Sequence, residues 1–291
     1  MDRIQDLAAK GAEIVGTSTG YRELDLLTNG LESGNFYCIA ARPSIGKTAL
    51  CLDMALNMAI KEKRIGFFSL EMPQEQIAIR SISSQAHINS HTLRRPKNLS
   101  SDDLRRISSV LAKSNFNNLI IDDQSGLSLS MLRSRTKRLI AENKIEGVIV
   151  DYLQLMTPPP RIEVREQQIS AITRGIKEMV KDYGIWAIVL SQLNRNVEAR
   201  KDKRPSLADL RESGAIEQDT DVVIFIHRPE FYGDPTFDDD TPSENMAEII
   251  VGKNRNGPTG SVKLKYFKEW THFENLAREL RFEPSGQEEA F

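Results

Sequence analysis

Five short apolar runs constrain this chain more than any other feature. FYCIAA (36–41), IGFFSLEM (65–72), NLIIDD (118–123), GVIVDYLQLM (147–156) and IWAIVLSQ (185–192) are apolar without alternating. A strand with one wet face alternates; a strand covered on both faces does not. Helix-period segments separate these runs. SDDLRRISSVLAKS follows Ser100, a candidate N-cap, and carries acidic residues in its first turn. SMLRSRTKRLIAENK and QQISAITRGIKEMVKDYG are the others, the second ended by Gly184. Strands alternating with helices predict an α/β domain whose mostly parallel, twisted sheet is flanked by helices and wound by right-handed crossovers.

The last third changes pattern. DVVIFIH, AEIIVGKN, SVKLKYF and THFENL follow one another with little helix between them. SVKLKYF and THFENL alternate as half-exposed antiparallel strands do, so antiparallel strands are expected near the C-terminus. Residues 233–245, GDPTFDDDTPSEN, read as a polar, acidic and mobile loop. The expected organisation is a linker helix and joint over 1–15, one large domain over 16–278, and a disordered tail over 279–291. The linker is too short to stand alone as a helix in water, so it is expected to pack on something else, such as another chain.

Bulk composition excludes a few classes. Hydrophobic residues make up 40% and charged residues 27%, enough to bury a core. No apolar run reaches membrane length, and MDRIQDLAAKG lacks the pattern of a secretory leader, so the expected compartment is the cytoplasm, with no membrane partner. The two cysteines, Cys38 and Cys51, sit in apolar runs and read as reduced packing residues. A net charge of −2 gives no global basic field, although a basic channel can be offset by an acidic outer surface.

The chemistry-bearing residues stand at the ends of the apolar runs. ARPSIGKT, from Ala41 to Thr48, lies between FYCIAA and a helix-like run, as a phosphate-binding loop does. Ala41 occupies the place of the pattern's first glycine. That position is at a strand end, where φ is negative and alanine is unstrained. The loop residues Ala41, Arg42, Pro43, Ser44, Ile45, Gly46, Lys47, Thr48 and Ala49 are therefore expected to cradle a nucleoside triphosphate, ATP or another NTP. Lys47 would reach the β and γ phosphates, and Thr48 would hold Mg²⁺. Asp151, closing GVIVD, supplies a second metal-side carboxylate, since an unpaired buried charge is costly without such a use. Glu71 is placed to orient or deprotonate attacking water, with a helix-capping role as its plain alternative. Gln192 is placed to hydrogen-bond the γ-phosphate. Ligand crevices in such sheets lie at the C-terminal ends of strands.

In order along the chain, ARPSIGKT, FSLEMP, VIVDYLQLM, LSQLNR, RPSLADLRESGAIEQDTDVV and VGKNRNGPTG closely resemble the motifs of DnaB-type replicative helicases, over about residues 16 to 275. The resemblance implies a RecA-like P-loop NTPase fold. It implies a homohexameric ring that hydrolyses NTP with Mg²⁺ and moves 5′ to 3′ on single-stranded DNA. It also implies primase and a helicase loader as partners. By this similarity Lys47, Thr48, Asp151, Glu71 and Gln192 take the roles argued above, while Arg255, with Lys253 beside it, reaches the γ-phosphate of a neighbouring subunit. DNA contacts would fall on Arg195, Arg211, Glu212 and Gly214, and on the loop 158–167. Full-length members carry an N-terminal domain ahead of the linker helix, which this sequence is expected to lack. Two other readings share the phosphate loop: a RecA/RadA-like recombination ATPase and an assembly module that binds ATP without turnover. FSLEMP and KNRNGPTG argue against the first, and the joint presence of Glu71, Asp151 and Arg255 against the second.

Overall fold

The computed structural model describes residues 13–277. The expected linker helix and the tail from 279 lie outside the described residues, apart from 13–15 of the joint. The strands are β1 (Phe36–Ala41), β2 (Ile65–Ser69), β3 (Leu119–Asp122), β4 (Gly147–Asp151), β5 (Trp186–Gln192), β6 (Val222–His227), β7 (Met246–Asn254), β8 (Gly260–Phe267) and β9 (His272–Asn275). They form one nine-stranded sheet in the order β3-β2-β4-β5-β1-β6-β7-β8-β9. β1 to β6 run parallel, and β7, β8 and β9 are added antiparallel at one edge. All five apolar runs are strands in the parallel part, and the alternating segments are the antiparallel ones.

The absence of alternation follows from two cores, one on each face. Tyr37, Ile39 and Ala41 of β1 point into a core shared with α1 (Arg22–Thr28), α2 (Lys47–Ile60) and α3 (Gln74–Ala86). Phe36, Cys38 and Ala40 point into the other, built with α6 (Leu129–Asn143) and α7 (Arg165–Tyr183). Every β1 residue is buried, so successive side chains pointing to opposite faces still meet apolar partners. The short α4 (Ser90–Leu93) and α5 (Ser101–Lys113) lie between α3 and β3, and α8 (Gly214–Asp219) precedes β6. Ser100 caps α5 in a capping box with Asp103, and Gly184 ends α7 in the left-handed conformation at φ 65°. Gly147 starts β4 against the Trp186 ring, which a β-carbon there would meet at 2.1 Å.

Segment 233–245 differs from its expectation. It is anchored rather than loose: Phe237 and Ser243 are buried, and Lys263 Nζ of β8 donates to Asp239 and to Thr241 Oγ1. The Lys263 hydrogen bond pulls the Asp239 carboxyl down to about 2. Composition alone cannot report such a tie, because its partner lies on a separate strand. Cys38 and Cys51 are free, buried thiols, as expected. Among the described residues, no helix is long and apolar enough to cross a membrane.

Candidate functional site

The phosphate-loop segment leaves β1 at Ala41 and enters α2 at Lys47. Two residues turn its backbone: Ser44 at φ 65° and Gly46 at φ 121°. Gly46 is required twice over. Its φ disfavours any side chain, and a β-carbon there would stand 3.0 Å from Phe273. Successive backbone N–H groups in such a turn form an anion-binding concavity at the head of a helix. A cavity of about 520 Å³ opens over it, lined by Lys47, Thr48, Glu71, Tyr152, Gln192 and Tyr266 among others. That volume suits a small-molecule ligand.

Lys47 Nζ folds over its own loop, donating to Ala41 O at 3.0 Å and Arg42 O at 3.5 Å. Burial lowers its pKa, opposed by the nearby carboxylates of Asp151 and Glu71. Thr48 Oγ1 donates to Asp151 Oδ2 at 2.8 Å. The other carboxylate oxygen, Asp151 Oδ1, is buried and has no hydrogen-bond partner among the described residues. Desolvation pushes the Asp151 carboxyl up to about 6, with the Thr48 hydrogen bond pulling the other way. An orphaned buried carboxylate oxygen beside a threonine hydroxyl is a hard-oxygen donor set, which fits Mg²⁺. Thr48 and Asp151 are the residues that would hold the ion, which supplies charge to a phosphate when bound.

This geometry carries a stability prediction. A carboxyl near 3.8 when unfolded and about 6 when folded binds its proton more tightly in the fold. Its ionisation therefore costs stability as pH rises from about 4 through 6, by up to roughly 3 kcal/mol above that window. Asp151→Asn is expected to melt at least about 2 °C above the parent at pH 8 in chelator without nucleotide, with the gap closing below about pH 4. Differential scanning calorimetry at the two pH values checks it; a variant that melts lower at pH 8 overturns it.

Glu71 lies just past β2, exposed at the cavity and without a hydrogen-bonded protein partner among the described residues. The helix-capping alternative fails. α3 has Pro73 at its N-cap with no side-chain cap, and it is Asp123 Oδ2 that accepts from Gln74 N at 2.8 Å. Gln192 ends β5 in register with Ala41 and faces the cavity. Glu71 and Gln192 thus meet Lys47 and Thr48 at one cavity, with Asp151 joined to it through Thr48.

Arg255 and Lys253 do not join them. β7 runs antiparallel to β6, so its end pairs with the start of β6: Asn254 stands opposite Val222. β6 runs parallel to β1, which places Arg255 at the opposite end of the strands from Ala41, roughly 17 Å along the sheet. Arg255 Nη1 donates to Asp221 Oδ1 at 3.2 Å, and Lys253 Nζ donates to Thr220 O at 2.8 Å. Lys253 belongs to β7 itself rather than following it.

Arg42 turns away from the loop it belongs to. Its Nε donates to Glu198 at 2.7 Å and its Nη1 to Leu193 O at 2.9 Å, tying the loop to the segment after β5. Arg195 is exposed at the start of the 3-10 turn Arg195–Ala199, and open space lies over Gly214 at the head of α8. The side chains of Arg211 and Glu212 are outside the described residues. The loop over 158–164 is largely exposed, and α7 begins at Arg165.

Several lining residues had no reading from sequence. Gln76 and Arg80 lie four residues apart on one face of α3, and that spacing just after Pro73 was the available signal. Tyr266 and Thr271 belong to β8 and the turn before β9, and nothing local to them points to a nucleotide loop more than 200 residues earlier. Arg228 bridges the two: its guanidinium lies 3.8 Å from the Tyr266 ring and donates to Ile45 O at 3.3 Å.

A family model described as the DnaB-like helicase C terminal domain matches residues 16–275. The chain belongs to this family. It is 39% identical over 287 residues to the replicative DNA helicase DnaC of Bacillus subtilis, covering 98% of this chain and 62% of that one. It is 43% identical over 272 residues to the replicative DNA helicase DnaB of Haemophilus influenzae, covering 92% and 57%. The chain thus spans about three fifths of the length of these curated relatives. Among solved structures, one described as an ATPase domain superposes with a TM-score of 0.86 at 36% identity, covering 94% of this chain and 96% of that one. A DnaB-like replicative helicase, solved in a study of its interactions with primase, gives 0.85 at 37% identity, covering 94% and 65%. The DnaB-like assignment agrees with the RecA-like sheet and its antiparallel edge.

Proposed function

We propose that this DnaB-like domain is an NTP-hydrolysing motor that moves 5′ to 3′ along single-stranded DNA as a ring of six copies. The observation that carries the reading is the split of the machinery. Lys47, Thr48, Glu71 and Gln192 line one cavity with Asp151 bonded to Thr48 beneath it, while Arg255 and Lys253 stand at the far end of the same sheet. A guanidinium so placed serves a site only when another copy brings it there, so hydrolysis occurs between subunits.

Within one subunit the loop N–H groups and Lys47 bind and orient the phosphates of ATP or another NTP. Thr48 and Asp151 hold Mg²⁺. Glu71 accepts the proton of the attacking water, and Gln192 contacts the γ-phosphate at the end of β5. Arg255 of the neighbour, with Lys253 beside it, neutralises charge that develops in the transition state. Arg195 and Arg211, with backbone N–H groups at Glu212, Gly214 and the loop over 158–167, contact DNA phosphates without reading bases. Gln192 ends the strand that leads directly into Arg195, so loss of the γ-phosphate reaches the DNA loops through a short covalent path. Primase and a helicase loader are the expected protein partners, in the cytoplasm.

Turnover per subunit tests this, measured across a wide range of protein concentration with and without oligo-dT. A steep rise with concentration, increased further by oligo-dT, is the expected result. Turnover per subunit that is independent of both overturns the shared site and the motor together.

A further inference from the structure

A second cluster lies behind the cavity wall, apart from the nucleotide residues. His87, His272 and Glu274 each bring one donor atom to a common point, all within 4.8 Å of one another. Glu274 Oε1 stands 3.7 Å from His87 Nε2 and 3.6 Å from His272 Nε2. These are two of the four histidines in the chain, and they come from elements far apart in sequence: the C-cap of α3 and β9.

The surroundings fix both rings. His272 is buried, and its Nδ1 faces Asp53 Oδ1 at 3.1 Å and Ser84 Oγ at 2.8 Å. Ser84 gives its own proton to Asp53, so its remaining lone pair accepts from Nδ1–H. Two acceptors on Nδ1 place a proton there and leave Nε2, which faces Glu274, as the nitrogen open to a metal. A carboxylate behind a histidine whose other nitrogen is open is the arrangement that supports metal-bound imidazole. Asp53 is fixed in turn, since its Oδ2 accepts from Phe273 N at 2.8 Å. His87 lies flat on Trp270, with centroids 5.4 Å apart and planes 9° from parallel. The nearby Arg106 pairs with Asp102 and Asp103 and donates to the backbone carbonyls of Ala86 and His87 at 3.4 Å.

We propose that His87, His272 and Glu274 bind a divalent transition metal, Zn²⁺ in preference to the hard Mg²⁺ of the nucleotide site. Two imidazoles and a carboxylate suit zinc, with water completing a tetrahedron. Tetrahedral ligands at zinc stand about 3.3 Å apart, so the observed separations close by small side-chain rotations. Both Glu274 and His87 are partly exposed, which gives the ion a way in. The bound ion joins the end of α3 to β9, the strand whose Phe273 packs under Gly46. It thus holds the wall of the phosphate loop from behind.

The test uses the full, untagged chain, dialysed to equilibrium against Zn²⁺ in excess Mg²⁺, with Co²⁺ absorption reporting the ligand geometry. Two exposed-ligand variants leave the buried Asp53 network alone: Glu274→Gln, and His87→Asn, which tolerates the left-handed backbone at that position. The expected result is one Zn²⁺ per chain, a tetrahedral Co²⁺ band, and affinity at least about tenfold weaker in each variant. A parent chain that retains no Zn²⁺ overturns the site. So does one equivalent of Zn²⁺ held equally well by both variants. Circular dichroism confirms that the variants compared are folded.

Discussion

Arg255→Ala is expected to bind nucleotide as the parent does and to lose about 10³–10⁵ in turnover, with no rescue by DNA. The plain alternative is that Arg255 is only the partner of Asp221, and the structure separates the two. Asp221 is buried and keeps Lys177 Nζ at 2.5 Å and the Phe36 N–H at 2.8 Å when Arg255 is gone. Arg255 itself is half exposed, so the lost ion pair is worth about 1 kcal/mol or less. A fold-borne effect would therefore appear as a small shift in melting and leave turnover near the parent's. The sharper arm mixes this variant with Lys47→Ala. Each alone lacks one half of every site, but mixed assemblies contain some interfaces with an intact Lys47 facing an intact Arg255. Partial recovery of turnover on mixing is expected. Full turnover in Arg255→Ala alone removes the neighbouring-subunit arginine from the mechanism.

Glu71→Gln is expected to lower turnover by about 10²–10⁴ while nucleotide binding persists. The amide keeps the size of the side chain and its hydrogen-bonding reach but cannot take a proton. Glu71 is exposed, caps no helix and holds no other side chain, so the change should move stability by no more than about 0.5 kcal/mol. Single-turnover measurements with saturating nucleotide separate the chemical step from release. Parent-like single-turnover rates would return Glu71 to an ordinary surface residue.

The two variants probe opposite ends of one sheet, and their contrast is informative. A loss in Glu71→Gln cannot be restored by a second subunit that lacks Lys47, because Glu71 and Lys47 share a cavity in the same chain. A loss in Arg255→Ala can be.

Much of the fold was readable from local pattern. Unalternating β1 to β5 meant two covered faces, and both faces are covered by helices. The alternating SVKLKYF and THFENL became β8 and β9 at the antiparallel edge. The phosphate loop was readable as well, since its turn needs Gly46 and its helix starts at Lys47 within the same eight residues. The placement of Asp151, Glu71 and Gln192 at one end of the sheet was readable, because each closes or follows a buried strand.

Neighbours along the chain therefore enforce strand or helix, buried or half-wet, and which strand ends carry polar groups. Where distant segments meet is set by the folded arrangement alone. It placed Arg255 away from its own phosphate loop, because β7 returns antiparallel along β6. It brought Tyr266 and Phe273 under a loop that begins at Ala41, and it pinned Asp239 with Lys263. It also set His87 beside His272 on a shared carboxylate. Each of these depends on strand order and on side chains meeting across elements. A periodicity of two or of 3.6 residues records which face is apolar, but not which other element will cover it.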